Sequence, residues 1–364
     1  MKTGKETNHG KHYRSISIRR SPYDLRNRGR ACLWRPLTPP QFNNPKKTKG
    51  IMYAGLTKED WLAKRQGGIG GSEAAAVLGL SPWETAVSVW LRKTGRAPKK
   101  PETEAMRIGT ELEDLVARRY EETTGREVRN HNVMLADGCL IGNVDRLVIP
   151  DGKKSAAWKG EITTDRILEC KTATRDWQEG VPLYYQIQVQ HYMGLAPTVE
   201  RTDVACLFLL NKHFEVHTVE RDNDAIKDIQ EYLRAWWQKH IVNGEMPEPT
   251  CEADVKRLWA RSNAGKSIAA NDELARTVEK YKRLKEQIDK RTELLNMRRE
   301  QIILAMRDAE IITGADGKPI CTWKSGKPME KTDWKSLAIS LNPSKEEIAA
   351  YTSTSEGSRR FIVK

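Results

Sequence analysis

Ile167-Leu168-Glu169-Cys170-Lys171, taken with Ile141-Gly142-Asn143-Val144-Asp145 upstream of it, is the stretch on which the fold turns. Both runs are apolar and strand-like, and both carry charge where a strand pair should be buried. Side chains alternate sides along a strand, so Glu169 and Lys171 face one way and Cys170 the other. With the two strands side by side, two carboxylates and an ammonium meet at one spot. Carboxylate oxygens suit hard divalent cations such as Mg2+ or Mn2+, and a metal-activated water beside a lysine suits phosphodiester hydrolysis. The same residues also fit a solvated strand edge with an ordinary ion pair. The flanking sequence has to discriminate.

The chain has 364 residues and a formal net charge of +13. That charge is unevenly spread: residues 1–50 hold thirteen Lys/Arg against Glu6 and Asp24, and the rest of the chain is nearly neutral. A nucleic-acid contact in the folded part must therefore come from local patches rather than from the global charge. No apolar run approaches the ~20 residues of a membrane span, and the first residues lack a signal-peptide core, so no membrane partner is expected. The six cysteines are scattered without a CxxC pair, against a disulfide framework, zinc ribbon or iron–sulfur cluster and in favour of a reducing cytosol.

Three regions are expected. Residues 1–51 are basic, proline-punctuated and read as a disordered extension, with Met52 a candidate start. Residues 52–249 form the catalytic domain. Residues 250–364 carry Leu274, Val278, Tyr281, Leu284, Ile288, Leu295 and Ile302 at helical spacing among charges, which predicts a long helix or short coiled coil. A small strand pair from 320–324 and 359–364 is expected to close this end as a cap.

Within the catalytic region, Thr57 caps a helix carrying Trp61 and Arg65, and a glycine-rich turn, Gly67-Gly68-Ile69-Gly70-Gly71-Ser72-Glu73, runs into an alanine-rich helix. Glu73 occupies the place of the third glycine in GxGxxG and no strand precedes the turn, so a dinucleotide fold is not expected. A helix N-terminus with Ser72 and Arg65 nearby could instead hold a phosphate. Residues 106–120 form an amphipathic helix with Glu113 beside its apolar stripe. Strands are expected over 128–135, 139–149 and 166–172, followed by a helix over 184–195 bearing Gln188 and His191, a hairpin over 204–219 and a tryptophan-bearing helix that ends near Gly244. Asn263-Ala264-Gly265-Lys266-Ser267 resembles the end of a P-loop, but its first glycine is missing and its context is helical, so it is set aside.

In order, Ile69-Gly70-Gly71-Ser72-Glu73-Ala74-Ala75-Ala76-Val77-Leu78-Gly79, Gly109-Thr110-Glu111-Leu112-Glu113, Asn143-Val144-Asp145, Leu168-Glu169-Cys170-Lys171-Thr172-Ala173 and Gln188-Val189-Gln190-His191-Tyr192-Met193 resemble the YqaJ-type viral recombinases, relatives of phage lambda exonuclease in the D…ExK nuclease superfamily. The resemblance covers about residues 57–245. It implies an α/β, restriction-endonuclease-like mixed sheet flanked by helices. It also implies a Mg2+-dependent (or Mn2+-dependent) exonuclease that degrades linear double-stranded DNA 5′ to 3′ to supply single strands for recombination. Asp145, Glu169 and the carbonyl of Cys170 would bind metal with Glu113 facing them, Lys171 would orient or activate water, Gln188 would position Lys171 or the scissile phosphate, and Arg65 and Ser72 would hold a terminal 5′-phosphate. A single-strand annealing protein, a trimeric assembly and a bacterial cytoplasm with a phage or prophage gene are implied in the same way. An endonuclease of the same superfamily and a non-catalytic DNA-binding or partner-recruiting protein are the alternatives. One departure is visible: many relatives have Asp-Gly where this chain has Asp145-Arg146.

Overall fold

The computed structural model describes residues 12–13, 51–52, 63–97, 103–354 and 359–363. Apart from the two-residue strands β1 (His12–Tyr13) and β2 (Ile51–Met52), the expected basic extension lies outside the described residues, as does Thr57 with the start of its helix. The chain divides into two compact units, Met1–Asp254 and Val255–Lys364.

The first unit contains α1 (Gly71–Val77), α2 (Ala86–Lys93), α3 (Glu104–Thr124), β3 (Val128–Asn130), β4 (Val133–Asp137), β5 (Leu140–Gly142) and β6 (Arg146–Val148). After these come a small hairpin, β7 (Ala157–Trp158) and β8 (Glu161–Ile162), then β9 (Arg166–Ala173), α4 (Leu183–Leu195), β10 (Arg201–Phe208), β11 (His213–Glu220) and α5 (Asn223–Trp237). The main sheet has the order β1-β11-β10-β9-β6-β3 and is mixed: β9 and β10 run parallel, while β6 with β9 and β10 with β11 are antiparallel. A parallel neighbour needs a crossover, and α4 supplies it between β9 and β10. β2, β4 and β5 make a second, smaller sheet.

Alternation along β9 sorts its residues onto two covered faces. Leu168, with Ala205 of β10, packs under Val116, Ala117 and Tyr120 of α3. Ile167, on the other face, packs with Val189, Tyr192 and Met193 of α4 and with Ile226 of α5. The expected sheet flanked by helices is therefore the observed one. Two long expected strands are each broken: 128–135 by the irregular residues 131–132, and 139–149 at 143–145, where Asn143, Val144 and Asp145 leave the ladder. The second break frees the Asp145 side chain from sheet alternation.

The glycine-rich turn lets two elements approach closely. A Cβ on Gly71 would stand 2.4 Å from the Tyr192 ring, and one on Gly142 would stand 2.9 Å from the same ring, so α1 and β5 close on α4 only because both positions lack a side chain. Ile69 N–H donates to the Cys139 carbonyl at 2.7 Å and Ile141 N–H to the Ile69 carbonyl at 3.0 Å, so the turn is stitched to β5.

His191 of α4 is 0 % exposed, with Nε2 2.8 Å from the Ile141 carbonyl oxygen and Nδ1 lacking a hydrogen-bond partner. Burial pushes its imidazole down to about 4. The folded value lies below the ordinary one near 6.5, so the unfolded chain takes up the proton first as pH falls. Stability from this group is complete above pH 6.5 and is lost as pH falls towards 4, by about 3 kcal/mol. Denaturant unfolding at pH 7 and pH 4.5 is expected to show a smaller acid loss in His191→Gln than in the wild type. Equal losses in both would contradict this account.

After the short α6 (Glu252–Leu258), the helix expected from apolar spacing in the second unit is α7 (Asp272–Met306), 35 residues long and capped by Asn271, whose side chain accepts from Leu274 N–H. The small strand pair is found, but between different partners: β12 (Ile311–Thr313) pairs with β13 (Pro319–Thr322), and residues 359–363 form no strand. The local turn explains this, since Gly317 at φ +74° and the Asp316 side chain bonding Lys318 N–H close a short hairpin at far lower chain entropy than a strand forty residues on. No described helix is long and apolar enough to cross a membrane.

Candidate active site

β6 and β9 pair with Arg146 opposite Leu168 and Leu147 opposite Ile167. This register brings the residue before Arg146 alongside the residues after Leu168. Asp145 Oδ2 accepts the backbone N–H of Cys170 at 2.8 Å. Glu169 is 2 % exposed, and its Oε1 accepts from Lys171 Nζ and from Gln188 Nε2, each at 2.6 Å. Gln188 reaches in from α4. Its Oε1 accepts from Lys171 Nζ at 3.3 Å, and its Nε2 also donates to the Tyr192 hydroxyl at 3.0 Å. Asp145 at the bend before β6, Glu169 and Lys171 on β9, and Gln188 on α4 thus lie together.

The electrostatics follow from burying two acids together. Burial, then the Glu169 charge, pushes the Asp145 carboxyl well above the usual carboxylate range. Burial likewise raises Glu169 despite the neighbouring Lys171 ammonium. Burial alone would lower Lys171, but Glu169 and Asp145 outweigh it and hold the ammonium charged. Its Nζ also lies 4.6 Å from the Tyr185 ring centroid, a cation–π contact that fixes the side chain without adding charge. Two buried carboxylates facing one lysine leave the pocket short of positive charge, and oxygen donors of this kind fit a hard divalent cation. Among the described residues no three His, Cys, Asp or Glu side chains already converge as metal ligands.

Because of Arg146, Glu113 does not join as a third carboxylate. It is close enough to raise Asp145, but its Oε1 accepts from Arg146 Nη1 at 2.5 Å. The same nitrogen donates to the Asp145 carbonyl at 2.7 Å, and Nη2 donates to Asp114 Oδ1 at 2.6 Å. Arg146 is 7 % exposed and ties α3 to the end of β6. Glu113, Asp114 and Asp145 line an open groove together with Thr110, Asn130 and His131.

Arg65 and Ser72 are brought together, with Nη2 3.3 Å from the Ser72 hydroxyl. The helix N-terminus beside them differs from the expectation of free N–H groups. Glu73 is buried and its Oε2 accepts the Gly70 N–H at 2.9 Å, so a carboxylate already occupies the end of α1. Glu73 is in turn paired to Arg92 at 3.0 Å and Lys93 at 2.8 Å, and Lys93 Nζ donates to the Arg65 carbonyl at 2.9 Å. Burial acts to raise Glu73, and these cations overcome it and keep its carboxyl low. Any phosphate contact here rests on the Arg65 and Ser72 side chains.

Sequence reading missed Tyr185 and Tyr192 as parts of the site. Their spacing was the available signal, since residues three before and four after Gln188 share its face of α4.

Residues 60–198 match the YqaJ-like viral recombinase domain. The uncharacterized protein YqaJ of Bacillus subtilis (strain 168) is 33% identical over 286 residues, covering 74% of this chain and 84% of that protein. Two solved structures are more distant. The alkaline exonuclease LHK-Exo of Laribacter hongkongensis is 21% identical, covers 51% of this chain and 94% of its own, and has a TM-score of 0.39. A phage-related exonuclease from Haemophilus somnus 129PT is 14% identical, covers 49% of this chain and 96% of its own, and has a TM-score of 0.38. Scores of that size leave the chemistry to be inferred from the chain's own residues. The matched domain nonetheless contains Asp145, Glu169, Lys171 and Gln188, and identity to the Bacillus protein extends well beyond it: the chain belongs to the YqaJ-like viral recombinase family.

Proposed function

We propose that the chain is a metal-dependent deoxyribonuclease that degrades linear double-stranded DNA from its ends, 5′ to 3′, leaving single strands for an annealing partner. The observation that carries this reading is the buried meeting of Asp145, Glu169, Lys171 and Gln188 at one end of the β6–β9 pair. Burying Glu169 at 2 % exposure carries a desolvation cost that its pairing with Lys171 need not repay, so stability alone does not account for the cluster. Membership of the YqaJ-like viral recombinase family agrees with the same reading.

Asp145, Glu169 and the Cys170 carbonyl would hold Mg2+ or Mn2+. When bound, such an ion supplies Lewis-acid charge that acidifies water and offsets charge developing on the phosphate. The chain's own residues do the rest. Lys171, whose ammonium lies 2.6 Å from Glu169 Oε1, would set a positive charge at the phosphate and orient or activate the attacking water. Gln188 joins Glu169 to Lys171 and so fixes both orientations. Breakage of the P–O3′ bond leaves a 5′-phosphate on the next nucleotide, which the Arg65–Ser72 pair would receive. Residues 250–364, with the exposed apolar stripe of α7, would serve assembly or partner contact.

The decisive experiment digests end-labelled linear duplex beside covalently closed circles, in Mg2+ and in EDTA. Mg2+-dependent loss of the linear DNA alone is expected. Cutting of circles would make the enzyme an endonuclease, and digestion that survives EDTA would remove the metal from the mechanism.

A further inference from the structure

We propose that the Arg146 guanidinium stands in for a second metal ion, so that the site takes a single divalent cation. This rests on the metal-dependent reading above and adds the number of ions to it. Arg146 is buried at 7 % exposure and stays protonated at any working pH, so its charge is permanent. Its planar fork spans two carboxylates on consecutive residues of α3, with Nη1 at 2.5 Å from Glu113 Oε1 and Nη2 at 2.6 Å from Asp114 Oδ1. Nη1 also sits 2.7 Å from the Asp145 carbonyl oxygen.

Two-ion phosphodiester sites place their cations about 3.5–4 Å apart, sharing carboxylates between them. Here the acid that could serve a second ion beside Asp145 is Glu113, and the guanidinium occupies its Oε1. A second ion would also sit beside the buried Arg146 guanidinium, whose like charge repels it. Arg146 is therefore a positioning residue: it keeps Glu113 away from the ion and sets a positive charge beside the groove that Glu113, Asp145 and Arg146 line.

The test counts Mn2+ bound by the full chain, by electron paramagnetic resonance of free and bound ion, scoring only ions that Asp145→Asn eliminates. The wild type is expected to hold one, with an uncoupled spectrum. Arg146→Gly is expected to hold two, a twofold rise, with a spin-coupled pair, while Arg146→Lys, which keeps the charge, stays at one. A coupled pair in the wild type would overturn the proposal without any variant. A single ion in folded Arg146→Gly would also overturn it, leaving Arg146 a clamp between α3 and β6. Mn2+ binding that Asp145→Asn leaves intact would instead refute the metal site itself.

Discussion

Asp145→Asn and Glu169→Gln are each expected to lower cleavage of linear duplex by about a hundredfold to a thousandfold, the loss typical when one preorganised charge-stabilising group is removed from an active site. Each substitution is nearly isosteric, so folding is spared, yet each removes a negative oxygen donor from a pocket already short of positive charge. Binding to DNA should persist or tighten, because a charge that repels the phosphate backbone has gone. Lys171→Ala should lose cleavage on a similar scale while metal still binds, since Lys171 touches Glu169 from the ammonium side only. Initial rates on labelled duplex, with binding measured separately by filter retention, decide the matter. Near wild-type rates in all three variants would show that the cluster is not the active site.

Arg65→Ala is expected to erase a preference for 5′-phosphorylated ends. A terminal phosphate carries more negative charge than an internal phosphodiester, and a guanidinium beside a hydroxyl discriminates between them. A charge-assisted contact of this kind contributes about 1.5–3 kcal/mol, so linear duplex with 5′-phosphate ends should be digested about tenfold to a hundredfold faster than the 5′-hydroxyl form. Glu73 sharpens the expectation. Its carboxylate occupies the start of α1, so the helix end offers little attraction of its own and removing Arg65 leaves almost none. Equal rates on both kinds of end by the wild type would dismiss this pocket and leave the metal-dependent cluster untouched.

The sequence by itself determined the parts whose physics is local. Alternation along 167–171 placed Glu169 and Lys171 on one side, and the structure joins them at 2.6 Å. Proline at 182 and glycine at 194 marked α4 against its own short alternation, and the helix duly spans Leu183–Leu195 with Gln188 turned to the acids. Periodicity gave α3 and the long α7 to within a few residues at the ends of the latter.

Only the tertiary structure decided which distant charges would neutralise one another. Glu113 lies on the helix face from which a metal ligand could come, and nothing in its own neighbourhood says that Arg146, thirty-three residues on, holds it instead. Glu73 takes the place of a third glycine in the turn, and nothing local shows that Lys93 and Arg92 of α2 pair with it. The strand break at 143–145 and the choice of β12 as partner for β13 are of the same kind. Backbone propensity acts over three or four residues and leaves a readable period. An ion pair between elements depends on how two separately formed surfaces dock, and the chain carries no period for that.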